Sequence, residues 1–333
     1  MIRLGFIAQS LILLILLLSG CSSHDQNSSA TPKTQQTSAT SSSSDQASEP
    51  DDGLINQLKE IAPQAKDARQ IISALDTNMA HVNEKTADQM FLILEHYYEQ
   101  YVPAVNDQLA KRLIQPGTAE KLNALEYPYD FTKIENDDAL KLWMLSQVSS
   151  KLTLDNRDGD FYWRVDYDAL NKAYSPYLSK DLKEYLSIQT VEANQNSMED
   201  GGLTISRNEL ADRLLHTEHY LTTFPNGLKK VEMKTLYFNY LNQYIHEYRY
   251  EAIDENTLRL LPQVKQSYEK LVQEHPDTHT AQIVKDYLAI INANEDVIYE
   301  PGDPSISNIG NPKPNISEFW KGLSSKVDQL FTL

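Results

Sequence analysis

Cysteine is almost missing from this chain: Cys21 is the only one in 333 residues. A single cysteine forms no intrachain disulfide, so a stable fold must rest on apolar burial. Glycine is scarce as well, at eleven positions with one adjacent pair, Gly201-Gly202. No GxGxxG, phosphate-loop or GxSxG pattern can be drawn through those glycines, which leaves nucleotide-binding and hydrolase superfolds without a motif. Basic charge is in deficit, with 30 Lys and Arg against 47 Asp and Glu and a formal net charge of -17. An acidic surface repels phosphate backbones, so nucleic acid is not an expected partner. No long basic run suggests adsorption to anionic lipid either.

What is present begins with an anchor. Arg3 is the only charge in the first twenty residues, and Leu11 to Leu18 are nothing but Leu and Ile. Ser19, Gly20 and Cys21 follow, then a Ser-rich polar stretch. A short positive start, an apolar run and a small-residue exit make a secretory signal over 1–20. The run is too short for a comfortable membrane span, which needs ~20 residues. Leu18-Ser19-Gly20-Cys21 resembles the lipobox of bacterial lipoproteins at every position. That resemblance implies diacylglycerol on the Cys21 sulfur, removal of the signal, and Cys21 as the first mature residue. Two or three acyl chains on one cysteine give a lasting anchor, since each buried methylene contributes ~0.8 kcal/mol. The expected location is therefore the extracytoplasmic side of a cell membrane, held there by lipid.

Residues 21–53 read as the lipidated cysteine and a linker of Ser, Thr, Gln, Asn and Asp, including an uninterrupted Ser41 to Ser44. Such a segment buries too little apolar surface to offset its ordering entropy. From Leu54 the composition changes abruptly, and helical periodicity dominates to 299. Met90, Phe91, Leu94, Tyr97, Tyr98 and Tyr101 form one stripe, which Pro103 is expected to end. Asp138 is a candidate cap for a helix carrying Leu140, Trp143 and Met144, and Ser206 for one carrying Leu210 and Leu214.

Residues 151–167 break the helical pattern. Leu152 and Leu154, then Phe161, Trp163 and Val165, alternate with polar residues around Asp158-Gly159. Alternation on both sides of Asp-Gly predicts a β-hairpin, because the tight turn needs positive φ. A lone hairpin is marginal, so its aromatic face must pack on a helix. Residues 300–315, rich in Pro, Gly and Asn, are expected to be extended. Ile316, Phe319, Trp320, Leu323, Val327, Leu330 and Phe331 form one face of an amphipathic helix over 316–333.

Helix junctions repeat a device in which a proline follows an aromatic neighbourhood, at Pro103, Pro176, Pro225 and Pro276. The stretch Tyr268 to Thr278, followed by Ala281 and Val284, resembles the inter-helix junction of tetratricopeptide-like repeats. That family is common among bacterial envelope lipoproteins that scaffold assembly machinery. The resemblance covers some twenty residues here and is weaker at Phe224-Pro225. Prolines fall 49 residues apart from Pro176 to Pro225 and 51 from Pro225 to Pro276, against ~34 for a tetratricopeptide unit. The expected fold is all-α: an irregular stack of helical hairpins, solenoid-like or bundled, with one inserted β-hairpin.

Candidate chemistry is thin. His246-Glu247 opens like HExxH, but Tyr250 stands where the second histidine belongs. His216 and His219 share a helix face, and Glu218 and His246 could join them only if distant helices converge. His96 and Glu99 have similar spacing and the same difficulty. Asp155, Asp158 and Asp160 near the hairpin do not fit a calcium loop, because Leu154 falls at its first position. No cofactor or metal is expected.

Tyrosine is the richer signal: Tyr97, Tyr98, Tyr101, Tyr237, Tyr240, Tyr244, Tyr248 and Tyr250 cluster on a few helices. Rings with one wet end suit interfaces and grooves, although they also suit the edge of a core. The candidate interaction surface is Tyr97, Tyr98, Tyr101, Tyr237, Tyr240 and Tyr244, with Phe319 and Trp320 from the last helix. The leading expectation is a non-enzymatic envelope scaffold or adaptor with a protein partner. The alternative is a lipoprotein that binds a small ligand, peptide or glycan. An enzyme requires His216, His219 and His246 to meet.

Overall fold

The structure, a computed structural model, describes residues 51–157, 159–246 and 249–332. Cys21, the expected signal, nearly all of the linker, Asp158 and Tyr248 lie outside the described residues, as does the side chain of Tyr250. Asp51 caps α1 (Asp52–Ile61) by accepting the Leu54 N–H at 3.1 Å. A turn at Ala62–Gln64 leads to α2 (Arg69–Asn78), and both helices bury Leu58, Ile71 and Leu75 against α3 (Glu84–Leu113).

Helix α3 runs through Pro103, contrary to the expected stop. Proline there removes one N–H from the helical ladder. Tyr98, Tyr101, Val105 and Leu109 are buried on both sides of it, so packing holds the helix across the lost bond. Gly117, at φ 82°, turns the chain into α4 (Thr118–Asn123). The cap of α5 (Asp138–Ser149) is Asp137, one residue before the expected position, accepting from the Leu140 N–H at 3.0 Å.

The predicted hairpin forms between β1 (Leu152–Arg157) and β2 (Asp160–Val165), in antiparallel register with Leu154 opposite Trp163. Its inward face carries Leu152, Leu154, Phe161 and Trp163. Trp163 meets Phe131 at 5.7 Å and Trp143 at 6.2 Å between ring centres. Asn106 of α3 closes the outer edge of β2: its amide accepts the Trp163 N–H at 2.7 Å and donates to the Trp163 carbonyl at 2.9 Å. The hairpin is thus packed on a helix, as its marginal size requires.

Helical hairpins follow. Helices α6 (Tyr167–Tyr174) and α7 (Lys180–Asn194) pack together, and a ribbon of β3 (Met198–Glu199) and β4 (Gly202–Leu203) occupies the polar loop after them. Ser206 caps α8 (Arg207–Thr223), as expected, and α8 pairs with α9 (Lys230–Ile245). The short α10 (Arg249–Ala252) precedes β5 (Ile253–Asp254) and β6 (Arg259–Leu260). Then α11 (Pro262–Glu274) pairs with α12 (His279–Ala293), and α8 touches both. A final ribbon, β7 (Tyr299–Pro301) with β8 (Ile309–Pro312), leads into α13 (Pro314–Leu330), which packs on α9 and α12.

The protein is therefore all-α, a stack of helical hairpins with inserted β-ribbons. Among the described residues there are four ribbons rather than the one expected. Three of them have strands of two to four residues, too short for alternation to register in a sequence. One of these pairs the ends of the 300–315 stretch, where a Cβ on Gly310 would lie 2.7 Å from the Glu300 carbonyl oxygen. No helix among the described residues is long and apolar enough to cross a membrane.

Candidate ligand cleft

The tyrosines singled out in the sequence are mainly core. Tyr98, Tyr101, Tyr237, Tyr240, Tyr244 and Phe319 are buried, and Tyr97 and Trp320 are half-buried. Their hydroxyls are committed inward: Tyr97 to the Ala65 carbonyl at 3.0 Å, Tyr98 to the Ser150 carbonyl at 2.8 Å and Tyr101 to Gln147 at 2.7 Å. Tyr237 meets Thr280 at 2.9 Å, Tyr240 donates to Glu192 at 2.6 Å and Tyr244 to the Ser267 carbonyl at 3.0 Å. Phe319 stacks on Tyr287, while Trp320 lies against His246 and Tyr299. The expected open Tyr-rich face is corrected by this burial. A ring that finds an internal acceptor for its hydroxyl can enter the core whole.

The histidines do not converge. Glu184 pairs with His216 at 2.5 Å, His219 faces Thr223 at 3.4 Å, and His246 lies on Trp320. His96 pairs with Glu99 at 3.0 Å on the surface. Among the described residues no three His, Cys, Asp or Glu side chains are gathered around a possible metal position.

A polar cleft lies elsewhere. Period-2 alternation that buries Phe161 and Trp163 turns Asp155, Arg157, Tyr162 and Arg164 to the other face of the hairpin. That face meets the end of α7 and the residues after it, Ala193 to Asn196. The loop carrying Tyr127 and Tyr129 closes one end. Helix α3 closes the other with Glu95, Tyr98, Glu99, Val102 and Pro103. Two compartments result, of about 410 and 450 Å³, sharing Arg164, Ala193 and Asn196 as a common wall. Each falls within the ~300–1,000 Å³ of small-molecule sites.

The charges of this cleft are held in pairs. Arg164 Nε lies 3.2 Å from Asp155, which also accepts the Tyr162 hydroxyl at 3.0 Å and the Asn156 N–H at 2.9 Å. Burial opposes ionisation of Asp155, but these hydrogen bonds outweigh it and hold the carboxyl below its usual range. Arg157 faces Glu199 at 3.7 Å. Glu192 takes Arg213 at 3.0 Å. Deepest is Glu95, bridged by Lys229 Nζ at 2.7 Å and by the Tyr185 hydroxyl at 2.8 Å, with Glu232 on the far side of the lysine at 3.0 Å. Burial pushes Glu95 up against the pull of that lysine and tyrosine. For Lys229 the desolvation is outweighed by Glu95 and Glu232, which keep it protonated.

A second recess, of about 560 Å³, opens between α1 and α3 over Ala62, Pro63, Leu92, Ile93 and Tyr97. Its wall is more apolar than polar, with Lys59, Gln89, His96 and Gln100 around the apolar residues.

Of the candidate tyrosines, Tyr98 borders the cleft and Tyr240 positions its Glu192, while Asp155 and Glu99 lie in its wall; the other sequence candidates do not line it. Arg157, Arg164, Tyr127, Tyr129, Gln195 and Asn196 were not singled out by sequence. The signal they carried was the polar face of an amphipathic hairpin beside a polar loop, two segments the chain separates by some thirty residues. No family model matches the chain, and no curated protein or solved structure matches it either.

Proposed function

We propose that this is a lipid-anchored, extracytoplasmic binding protein of the cell envelope, non-enzymatic, with its ligand held in the cleft between the β1–β2 hairpin and α7. The anchor rests on Leu18-Ser19-Gly20-Cys21 and the apolar run before it. The observation that carries the binding reading is the pairing of the cleft's charges. Glu95, Glu99, Asp155, Glu192 and Glu199 each face a cationic or imidazole partner, and Arg157 and Arg164 each face a carboxylate. Groups fixed in pairs keep N–H and lone-pair positions that can orient a ligand by hydrogen bonds.

The test has two parts. Cys21→Ser should move the protein from the membrane fraction to the soluble fraction. Crosslinking from the cleft in the native envelope should then trap an envelope component that a surface position on α11 does not. Retention of the Cys21→Ser protein on the membrane would remove the lipid anchor from the reading.

A second reading, the protein adaptor, is favoured by one exposed apolar turn. Leu228 and Val231 are 50% and 56% exposed at the α8–α9 turn. The Leu228 N–H bonds Asp181, near exposed Tyr177. Leu228→Asp with Val231→Asp should abolish a crosslinked protein partner if that turn is the contact.

A further inference from the structure

We propose that the ligand of this cleft is a neutral saccharide chain; the inference rests on the cleft being the binding site. The first argument is charge. A cationic or anionic ligand would have to compete with ion pairs already made at 2.7–3.2 Å by Glu95, Asp155 and Glu192, of which the enclosed Glu95–Lys229 pair is not released cheaply. A neutral ligand leaves them intact. Paired side chains keep hydrogen-bonding capacity, since a guanidinium has five N–H groups and a carboxylate about four acceptor sites. Hydroxyl groups, which both donate and accept, match such a wall.

The second argument is the aromatic lip. Tyr127 is 69% exposed at the mouth of the cleft. Its ring stands edge-to-face with Tyr129 at 5.6 Å, and Tyr129 is itself held by Phe131 and Phe161. An exposed ring at the mouth of the cleft, set edge-to-face on Tyr129, is a platform for the flat C–H face of a sugar.

The third argument concerns the peptide alternative. An extended peptide would be expected to add to a free strand edge, such as the outer edge of β2. At Trp163 that edge is closed, because Asn106 takes both its N–H and its carbonyl. Shape agrees with a chain rather than a single ring: the two compartments adjoin through Arg164, Ala193 and Asn196.

The test uses the full-length chain in detergent, titrated calorimetrically with chitohexaose, cellohexaose and maltohexaose. At least one should bind. Tyr127→Ala should weaken that binding tenfold or more, and Arg157→Gln should weaken it too, both positions being exposed enough to spare the fold. Raising salt from about 0.05 to 0.5 M should change affinity by less than about twofold, because no net charge is exchanged. In parallel, a photoreactive phenylalanine analogue in place of Tyr127 is activated in the native envelope. A glycan adduct supports the proposal. A peptide adduct with no oligosaccharide binding overturns the saccharide class and leaves the cleft as a binding site. Neither adduct nor binding overturns both. Oligosaccharide binding unchanged by Tyr127→Ala also overturns the proposal, since the sugar then sits elsewhere.

Discussion

Glu218 on α8 caps the start of α12: its carboxylate accepts the Thr280 N–H at 2.8 Å and the Thr280 hydroxyl at 2.6 Å. It also takes the His279 N–H at 2.7 Å. The first N–H groups of a helix have no partner within it, and here a buried anion from another hairpin supplies one. Removing it strands donors in the interior. Glu218→Ala is expected to destabilise the protein by about 1.5–3 kcal/mol, the range for hydrogen bonds to a charged group. Glu218→Gln should lose less. Urea unfolding measures both, and a double cycle with Thr280→Val should show strong coupling.

Lys229 and Glu95 form the most enclosed ion pair of the cleft. Breaking such a pair from one side leaves a buried charge uncompensated. Lys229→Met should therefore cost about 3–5 kcal/mol, and adding Glu95→Leu should recover much of it. Chemical unfolding of the two variants decides. Lys229 is raised above the ordinary lysine value, so its contribution is whole below that value and is lost as pH climbs through the folded one.

Pro103 sits inside α3 with buried neighbours on both sides. Pro103→Ala restores one helical N–H and frees the unfolded chain slightly. The first effect is the larger, so a gain of about 1 kcal/mol is expected. A loss on urea titration would mean that the ring's packing against the cleft matters more than the missing bond.

His246 is lowered from its usual 6.5 by burial. The unfolded chain then takes up the proton first as pH falls, so stability is whole above about 6.5 and declines as pH drops toward the folded value. His246→Phe should flatten that decline while keeping a ring against Trp320. Thermal melts between pH 5 and 8 would show it, and an unchanged slope would place the effect in other groups.

The helical stack and its first hairpin could be read in advance because they obey simple periods. Leu152, Leu154, Phe161 and Trp163 alternate around a turn, and both facts are local. Other features depended on distant partners. Nothing near Thr280 announces that its cap comes from Glu218, 62 residues away. Tyr237, Tyr240 and Tyr244 looked like a wet surface because a tyrosine's burial depends on finding an acceptor, and Thr280, Glu192 and Ser267 lie on other elements. The cleft was illegible for the same reason. Arg164 and Asn196 share a wall only once the hairpin and the end of α7 lie side by side, and neither segment carries a motif.

Helix α13 lays Ile316, Phe319, Leu323 and Val327 over α9 and α12. A pile of helical hairpins is open-ended by nature, since each layer offers the next an apolar surface to grow on. Here the last layer is a single helix, with Lys326 and Asp328 tied to Asp286 and Lys234 at its rim. It works as a lid on the stack. A protein shortened before Pro314 would present α9 and α12 as a sticky end, and copies brought to high concentration would join there.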